Sequence, residues 1–435
     1  MATTLGRFKN AMSKVIVNFS GPANGADSYS EAEKYLQYSR PKFLNLTEDE
    51  VKASADHSLR PIIVPRETGQ STSNVCFGYA ECINAGKSDL NEDQAHVDRI
   101  LISQLPEEEG SGDKDEPIEC EYFGIFDGHA GSGAALLARN FLQDHLQEEL
   151  CKVKSLLFAD RPACTCLGPT IIKHDDLIIG ALEQAYARTD EKIKQLRASG
   201  GCTALVVLKF KNVVYVANAG DSRAVLIRGD GSPPEALSFD HTPDSERNRL
   251  EEVAALKPHL LHGVFTADLW QKRPSAKDVG SWFLCKPAGK KGWIKKKVEE
   301  EDLKSPLIFG SAKKARLLAT IGVTRGLGDH FLQVQSTDIY IKPFLSSKPE
   351  IRKLELEKDD LIVMATDGLW DVVSNQSAAD KIRNVLKQHE ETDGRRYNAL
   401  ALELVMQAQN ADVSPTGQLS LDDISVFVVP MDSAI

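Results

Sequence analysis

Between residues 203 and 231 the chain has few structural options. Short apolar runs at 203–208, 213–217 and 224–227 are separated by a break at 209–212 and by Gly220-Asp221, and a Gly-Asp-Gly turn closes the series at 229–231. Runs this short, joined this tightly, predict an antiparallel meander. Apolar segments at 122–126, 317–321, 361–366 and 424–430 predict further strands. Helical spacing predicts helices at 132–150, with Leu136, Leu137, Phe141, Leu142 and Leu146 on the buried side, and at 177–196, 376–388 and 397–409. Strands grouped first, with helices elsewhere, point to antiparallel sheets covered by helices rather than a doubly wound parallel sheet.

The remaining chain suggests its organisation. Residues 1–26 contain no acid, and Leu5, Phe8, Met12, Val15, Ile16 and Phe19 recur at helical spacing. They fall within an arc of about 100°, with Arg7, Lys9 and Lys14 outside it. Such a helix either lies on an anionic membrane surface through residues 5–19 or packs on its own domain; a frayed terminus and an organelle-targeting peptide are the other readings. A Gly-, Ser- and Asn-rich linker covers 20–34. The expected organisation is an N-terminal helix and linker over 1–34, one large folded domain over 35–431 and a short tail at 432–435.

Residues 245–317 carry few strand signals and form a flap subdomain inserted in that domain. They hold a basic cluster of Lys286, Lys290, Lys291, Lys295, Lys296 and Lys297, interleaved with Trp270, Trp282, Phe283 and Trp293. Basic and aromatic residues together suit nucleic acid or a solvated recognition flap. The net charge of −11 lacks the basic surplus of a nucleic-acid protein, so no nucleic-acid partner is expected. Eight cysteines without a CxxC pair read as reduced thiols in the cytoplasm. There is neither a secretory apolar run at the start nor a stretch of about 18 apolar residues that would cross a membrane.

The chemistry lies in the placement of the acids. The strand at 122–126 ends in Asp127-Gly128-His129, and the one at 361–366 ends in Asp367-Gly368. Gly220-Asp221 follows a third strand, Asp422-Asp423 opens the last, and Glu92-Asp93 adds another pair. One aspartate at a strand end is ordinary turn chemistry. If these ends meet at one edge, they make a hard oxygen cage suited to Mg²⁺ or Mn²⁺. Two such ions roughly 3.5–4 Å apart would activate a water. Other signatures are missing. Glu81 stands where a phosphate loop before Gly86-Lys87-Ser88 needs glycine, and no cysteine has an arginine six positions on.

Seven motifs in order, Asn91-Glu92-Asp93, Phe126-Asp127-Gly128-His129, Gly201-Cys202-Thr203-Ala204, Ala217-Asn218-Ala219-Gly220-Asp221-Ser222-Arg223, Thr324-Arg325-Gly326-Leu327-Gly328-Asp329, Thr366-Asp367-Gly368-Leu369-Trp370-Asp371 and Asp422-Asp423-Ile424-Ser425-Val426, resemble those of the type 2C metal-dependent protein serine/threonine phosphatases. The resemblance covers about residues 75–430. It implies an α+β fold, a central β-sandwich of two antiparallel sheets flanked by helices. It also implies hydrolysis of phosphoserine and phosphothreonine by a metal-activated water at a centre of two Mn²⁺ or Mg²⁺ ions. Carried over by motif, Asp127 bridges both ions and Gly128 offers its carbonyl to one. Glu92 serves the second, Asp367 and Asp422 hold the first, and Asp93 orients water. Asp221 helps hold a third, weaker ion, and His129 protonates the leaving oxygen. Arg223, Arg325, Asp329 and Asp371 read as structural.

This sequence departs from the family in one respect. Ser88 stands where many members have a phosphate-clamping arginine, and Lys87 beside it is the substitute for binding phosphate. A lysine offers a point charge without the arginine fork. The insert over 242–317, together with Ser39-Arg40-Pro41, Ala85-Gly86-Lys87-Ser88 and Tyr340-Ile341-Lys342-Pro343-Phe344-Leu345, resembles an animal branch of the family that acts on phosphorylated Rab GTPases. That likeness implies a Rab substrate docked by the flap, in the cytoplasm or peripherally on an organelle membrane. The rival reading is an inactive pseudophosphatase scaffold, against which Glu92, Asp127, Asp367 and Asp422 all argue by their presence.

Overall fold

Nine strands build the core of the computed structural model: β1 (Gly78–Cys82), β2 (Gln94–Ile102), β3 (Ile118–Phe126), β4 (Ala204–Phe210), β5 (Val213–Ala219), β6 (Arg223–Ile227), β7 (Glu350–Glu355), β8 (Leu361–Ala365) and β9 (Ile424–Pro430). The structure describes residues 34–66, 75–83, 88–103, 117–157, 173–210, 213–355, 357, 359–390, 393–410, 417 and 419–431. The amphipathic segment 5–19, Lys87 and the tail 432–435 therefore lie outside the described residues. The chain divides into two units, Met1–Gln37 and Tyr38–Ile435, and all that follows concerns the second.

Two antiparallel sheets face each other. One runs β7-β5-β4-β3-β2; the other runs β1-β9-β8-β6 between the short edge strands Ile62–Ile63 and Glu235–Ala236. Strand alternation fills both faces of the second sheet. In β8, Ile362 and Met364 enter the core between the sheets, where Phe123, Leu205, Val216 and Phe427 meet them. Leu361, Val363 and Ala365 point the other way, against α4 and α5 as defined below. Helices α1 (Gly133–Lys152) and α2 (His174–Gln195) pack on each other, and α1 covers β2 and β3. After α3 (Arg247–Leu256) in the insert, α4 (Asn375–Leu386) and α5 (Arg396–Gln409) cover the second sheet. The layering is α-β-β-α, as the sequence implies. Among the described residues no helix is long and apolar enough to cross a membrane.

Two expectations need correction. The apolar runs over 203–227 are not a three-stranded meander. β4 and β5 pair, but β6 joins the opposite sheet beside β8. Gly220, at φ +136°, makes the crossing; a side chain there would strike Thr203 within 2.4 Å. Both faces of β6 are apolar, so the run itself does not show which sheet buries it. Residues 317–321 are likewise not a strand. Leu318 and Ala319 have φ of 48° and 56°, and the Leu317 N–H donates to the Ile321 carbonyl, so the segment is a tight turn that buries Leu317, Leu318 and Ile321 and exposes Ala319.

The insert has its own apolar core. Leu250, Phe265, Leu307, Leu317, Ile341 and Phe344 meet there, so this core draws on residues beyond 317 as well.

Candidate metal centre

The strand registers bring the acids to one end of the sandwich. Gln94 pairs with Phe126, which sets Asp93 beside Asp127. Ala204 pairs with Ala219, which sets Asp221 near the same edge. In the other sheet Ala365 pairs with Val426 and with Arg223, so Asp367, Asp423 and Ser222 share an end. Carboxylate oxygens of Asp127, Asp221 and Asp367 all lie within 4.8 Å of one another, each side chain partly buried.

The Asp-Gly signature has a steric cause. A side chain at Gly128 would sit 2.5 Å from the Glu92 carbonyl oxygen, and one at Gly368 2.0 Å from that of Asp423. Only glycine allows these acidic segments to pass so closely. Hydrogen bonds then tie the segments together. The Glu92 N–H donates to Asp423 Oδ2 at 2.7 Å, the Thr366 hydroxyl to Asp93 Oδ2 at 2.9 Å, and the Gly131 N–H to Glu92 Oε1 at 3.1 Å. The Asp127 N–H donates to the Thr203 hydroxyl, which also meets Ser222 Oγ at 2.7 Å.

Crowding makes these acids reluctant to ionise together. Burial, then the charges of Asp367, Asp93, Asp422 and Asp221, holds the Asp127 carboxyl well above the usual aspartate range. Burial and the Asp423 and Asp422 charges push Asp93 up as well. Burial, with Asp240 next, raises Asp221 to about 6. A divalent cation relieves this repulsion, and a set of carboxylate oxygens with a nearby backbone carbonyl at Gly128 is a hard donor set, so the residues fit Mg²⁺ or Mn²⁺.

The raised Asp221 yields a signed prediction. A carboxyl whose folded pKa exceeds its unfolded one contributes stability at low pH, and that contribution is lost as pH climbs through the folded value. In a chelator, the melting temperature of Asp221→Asn relative to the parent should therefore rise between the ordinary aspartate pKa and about 6. Added Mn²⁺ should shrink or reverse the gap. A pH-independent difference in differential scanning fluorimetry would refute it.

His129 lies beside the acids in a small sheet of Gly128–His129, Gly201–Cys202 and Leu327–Gly328. Its Nε2 is 2.7 Å from Asp329 Oδ2. Burial opposes the charged ring, but the Asp329 hydrogen bond and charge, with Asp221 and Glu92, outweigh it and raise the imidazole pKa. Asp190 fixes the turn beneath: it accepts from the Gly328 N–H, and Lys342 bridges Asp190 to the Gly328 carbonyl.

Some residues read as structural in the sequence are placed as follows. Arg223 grips Asp240 with two nitrogens, and Arg325 grips Glu246. Asp371 accepts from Lys313 of the insert, and Asp329 orients His129. Sequence reasoning missed the support beneath the acids. Arg40 is buried against Glu81 and donates to the carbonyls of Asn91 and Asp93 at 3.2 and 2.7 Å. Arg139 reaches Ser39 and Gln94 alongside it. The Ser39-Arg40-Pro41 motif was the available signal.

Clustered acids at the strand ends beside a carboxylate-held histidine define a metal-dependent hydrolase site. The family model described as Protein phosphatase 2C matches residues 86–255 and 308–416, interrupted only within the insert. Protein phosphatase 1H of Homo sapiens is 40% identical, with 97% of this chain and 97% of that protein covered. Protein phosphatase 1M of Homo sapiens is 42% identical, with 92% of each covered. Protein phosphatase 1J of Mus musculus is 40% identical, with 92% of this chain and 87% of that protein covered. The chain belongs to the protein phosphatase 2C family. It is a metal-dependent protein serine/threonine phosphatase, and its substrates are phosphoproteins.

Proposed function

We propose that the centre would hold two ions, Mn²⁺ or Mg²⁺, with Asp127 as a ligand they would share. Glu92 and the Gly128 carbonyl would help hold one ion, Asp367 and Asp422 the other, and Asp221 would help hold a third, weaker one. The observation that carries the reading is the meeting of Asp127, Asp221 and Asp367 from three strand ends. When bound, the ions supply charge neutralisation for the phosphoryl group and a water acidic enough to attack near neutral pH. Asp93, buried behind the acids and accepting from the Thr366 hydroxyl, would orient that water. His129 donates its proton to the departing serine or threonine oxygen, and Asp329 holds the ring in line for the transfer. Lys87, by its place in the sequence, meets the phosphate.

His129→Ala should slow release from a phosphothreonine peptide by about 10²–10⁴-fold. It should slow p-nitrophenyl phosphate far less, because that leaving group needs no proton. Equal losses on both substrates would remove His129 from the general-acid role.

The reading extends to a phosphorylated Rab GTPase as substrate, in the cytoplasm, with peripheral membrane contact through residues 5–19. Its support is the size of the insert and the segments at 39–41, 85–88 and 340–345. A phosphorylated Rab should be turned over faster than an unrelated phosphoprotein at equal concentration. Equal kcat/KM would reject the Rab substrate and leave the phosphatase intact.

A further inference from the structure

The insert carries a surface that the phosphatase site does not use. Trp282–Lys286 and Ile294–Lys297 form an antiparallel hairpin, extended by Leu269–Trp270. The register sets Trp282 opposite Lys297 and Leu284 opposite Lys295, so these four share one face. On that face Trp282 is 59% exposed and Leu284 41%, and Trp293, just before the second strand, is 52% exposed. A groove of about 310 Å³ opens beside Trp282 and Leu284, with Lys272 and Lys295 on its walls. The opposite face is anchored: Cys285 is buried, and Lys296 pairs with Asp302 and lies over the Trp270 ring.

The charge on this hairpin is of one sign. Residues 282–297 contain six lysines, no arginine and no acid, within a chain of net charge −11. Lys286 and Lys296 turn to Glu251 and Asp302, while Lys290, Lys291, Lys295 and Lys297 stand exposed. Protein-binding surfaces favour arginine and are depleted in lysine. Strongly hydrated lysine charges suit the diffuse negative field of phospholipid headgroups instead. Indoles suit the boundary between headgroup and acyl chain, being apolar with one polar edge. We propose that this hairpin face docks on an anionic lipid surface, with Trp282 and Trp293 entering the headgroup layer and the exposed lysines meeting lipid phosphates and carboxylates. The proposal depends neither on the substrate nor on residues 5–19.

The test is co-sedimentation of the full chain with vesicles of phosphatidylcholine alone, or of phosphatidylcholine with phosphatidylserine. Two variants are compared with the parent: Trp282→Ser with Trp293→Ser, and a quadruple Lys→Glu change at 290, 291, 295 and 297. Hydrolysis of p-nitrophenyl phosphate should match in all three, which establishes that each is folded. The parent should bind the anionic vesicles, lose binding as salt rises, and ignore neutral ones. The quadruple variant should partition at least about tenfold less, since each surface lysine near an anionic bilayer is worth roughly fivefold. The tryptophan variant should weaken binding as well. Unchanged vesicle binding in the variants overturns the proposal. If they bind vesicles normally but turn over a phosphoprotein more slowly, the face meets protein, and the lipid proposal is overturned by that route.

Discussion

Asp367→Asn is expected to lower phosphate release from a phosphothreonine peptide by about three orders of magnitude, while leaving the metal-free protein at least as stable as the parent. Asp367 lies just past the apolar strand β8, after Thr366, and opens a one-turn helix, and its carboxylate lies within 4.8 Å of those of Asp127 and Asp221. Asparagine keeps the shape and removes the charge that helps hold the cation. Metal electrostatics contribute several kcal/mol to such a transition state, and about 1.4 kcal/mol is a factor of ten in rate. The stability half of the prediction has the opposite sign. After burial, the Asp367 charge is the largest influence pushing the Asp127 carboxyl up, so removing it relieves repulsion when no cation is present. Steady-state kinetics and melting in a chelator check the two halves. A variant that loses activity because it has unfolded would contradict the account.

Arg40→Ala should act in the other direction, destabilising the whole domain by about 3–5 kcal/mol, as expected when one partner of a buried ion pair is removed. The Arg40 and Glu81 side chains are each 1% exposed. Glu81 would keep the Tyr79 hydroxyl at 2.7 Å but lose its countercharge. The Asp93 carbonyl would lose the Arg40 donor too, and the Asn91 carbonyl would be left with the Tyr38 hydroxyl, so the acidic segment beneath the centre would loosen. Urea unfolding measures the loss. Glu81→Gln added to Arg40→Ala should recover part of it, because the orphaned charge is then gone. Strict additivity of the two changes would mean that the pair is not the source.

The acids of this centre are legible because each carries a local signature. Asp127 and Asp367 follow apolar strands and precede glycines that the neighbouring Glu92 and Asp423 backbones require. β8, β9 and the second half of β3, residues 122–126, are legible for the same reason, being nearly continuous apolar runs buried on both faces, whereas Glu119 and Glu121 hide the first half of β3. β2 and β7 are not. Each is an edge strand, partly exposed, and carries charges such as Asp98, Arg99, Arg352 and Lys353 along its length. The crossing at Gly220 is also hidden, since a tight connection looks alike whether the next strand pairs beside it or joins the other sheet. Longer-range partners leave no periodicity at all. His129 and Asp329 meet across 200 residues, and Arg40 and Glu81 across 41.

The most direct test of the metal-centred account is phosphate release from a phosphothreonine peptide by protein stripped with EDTA and then supplied with Mn²⁺ or Mg²⁺. The stripped protein, still folded by circular dichroism, should be inactive, and either ion should restore turnover to the level before stripping. Release that continues unchanged in excess EDTA would contradict a centre built from Asp127, Asp221 and Asp367.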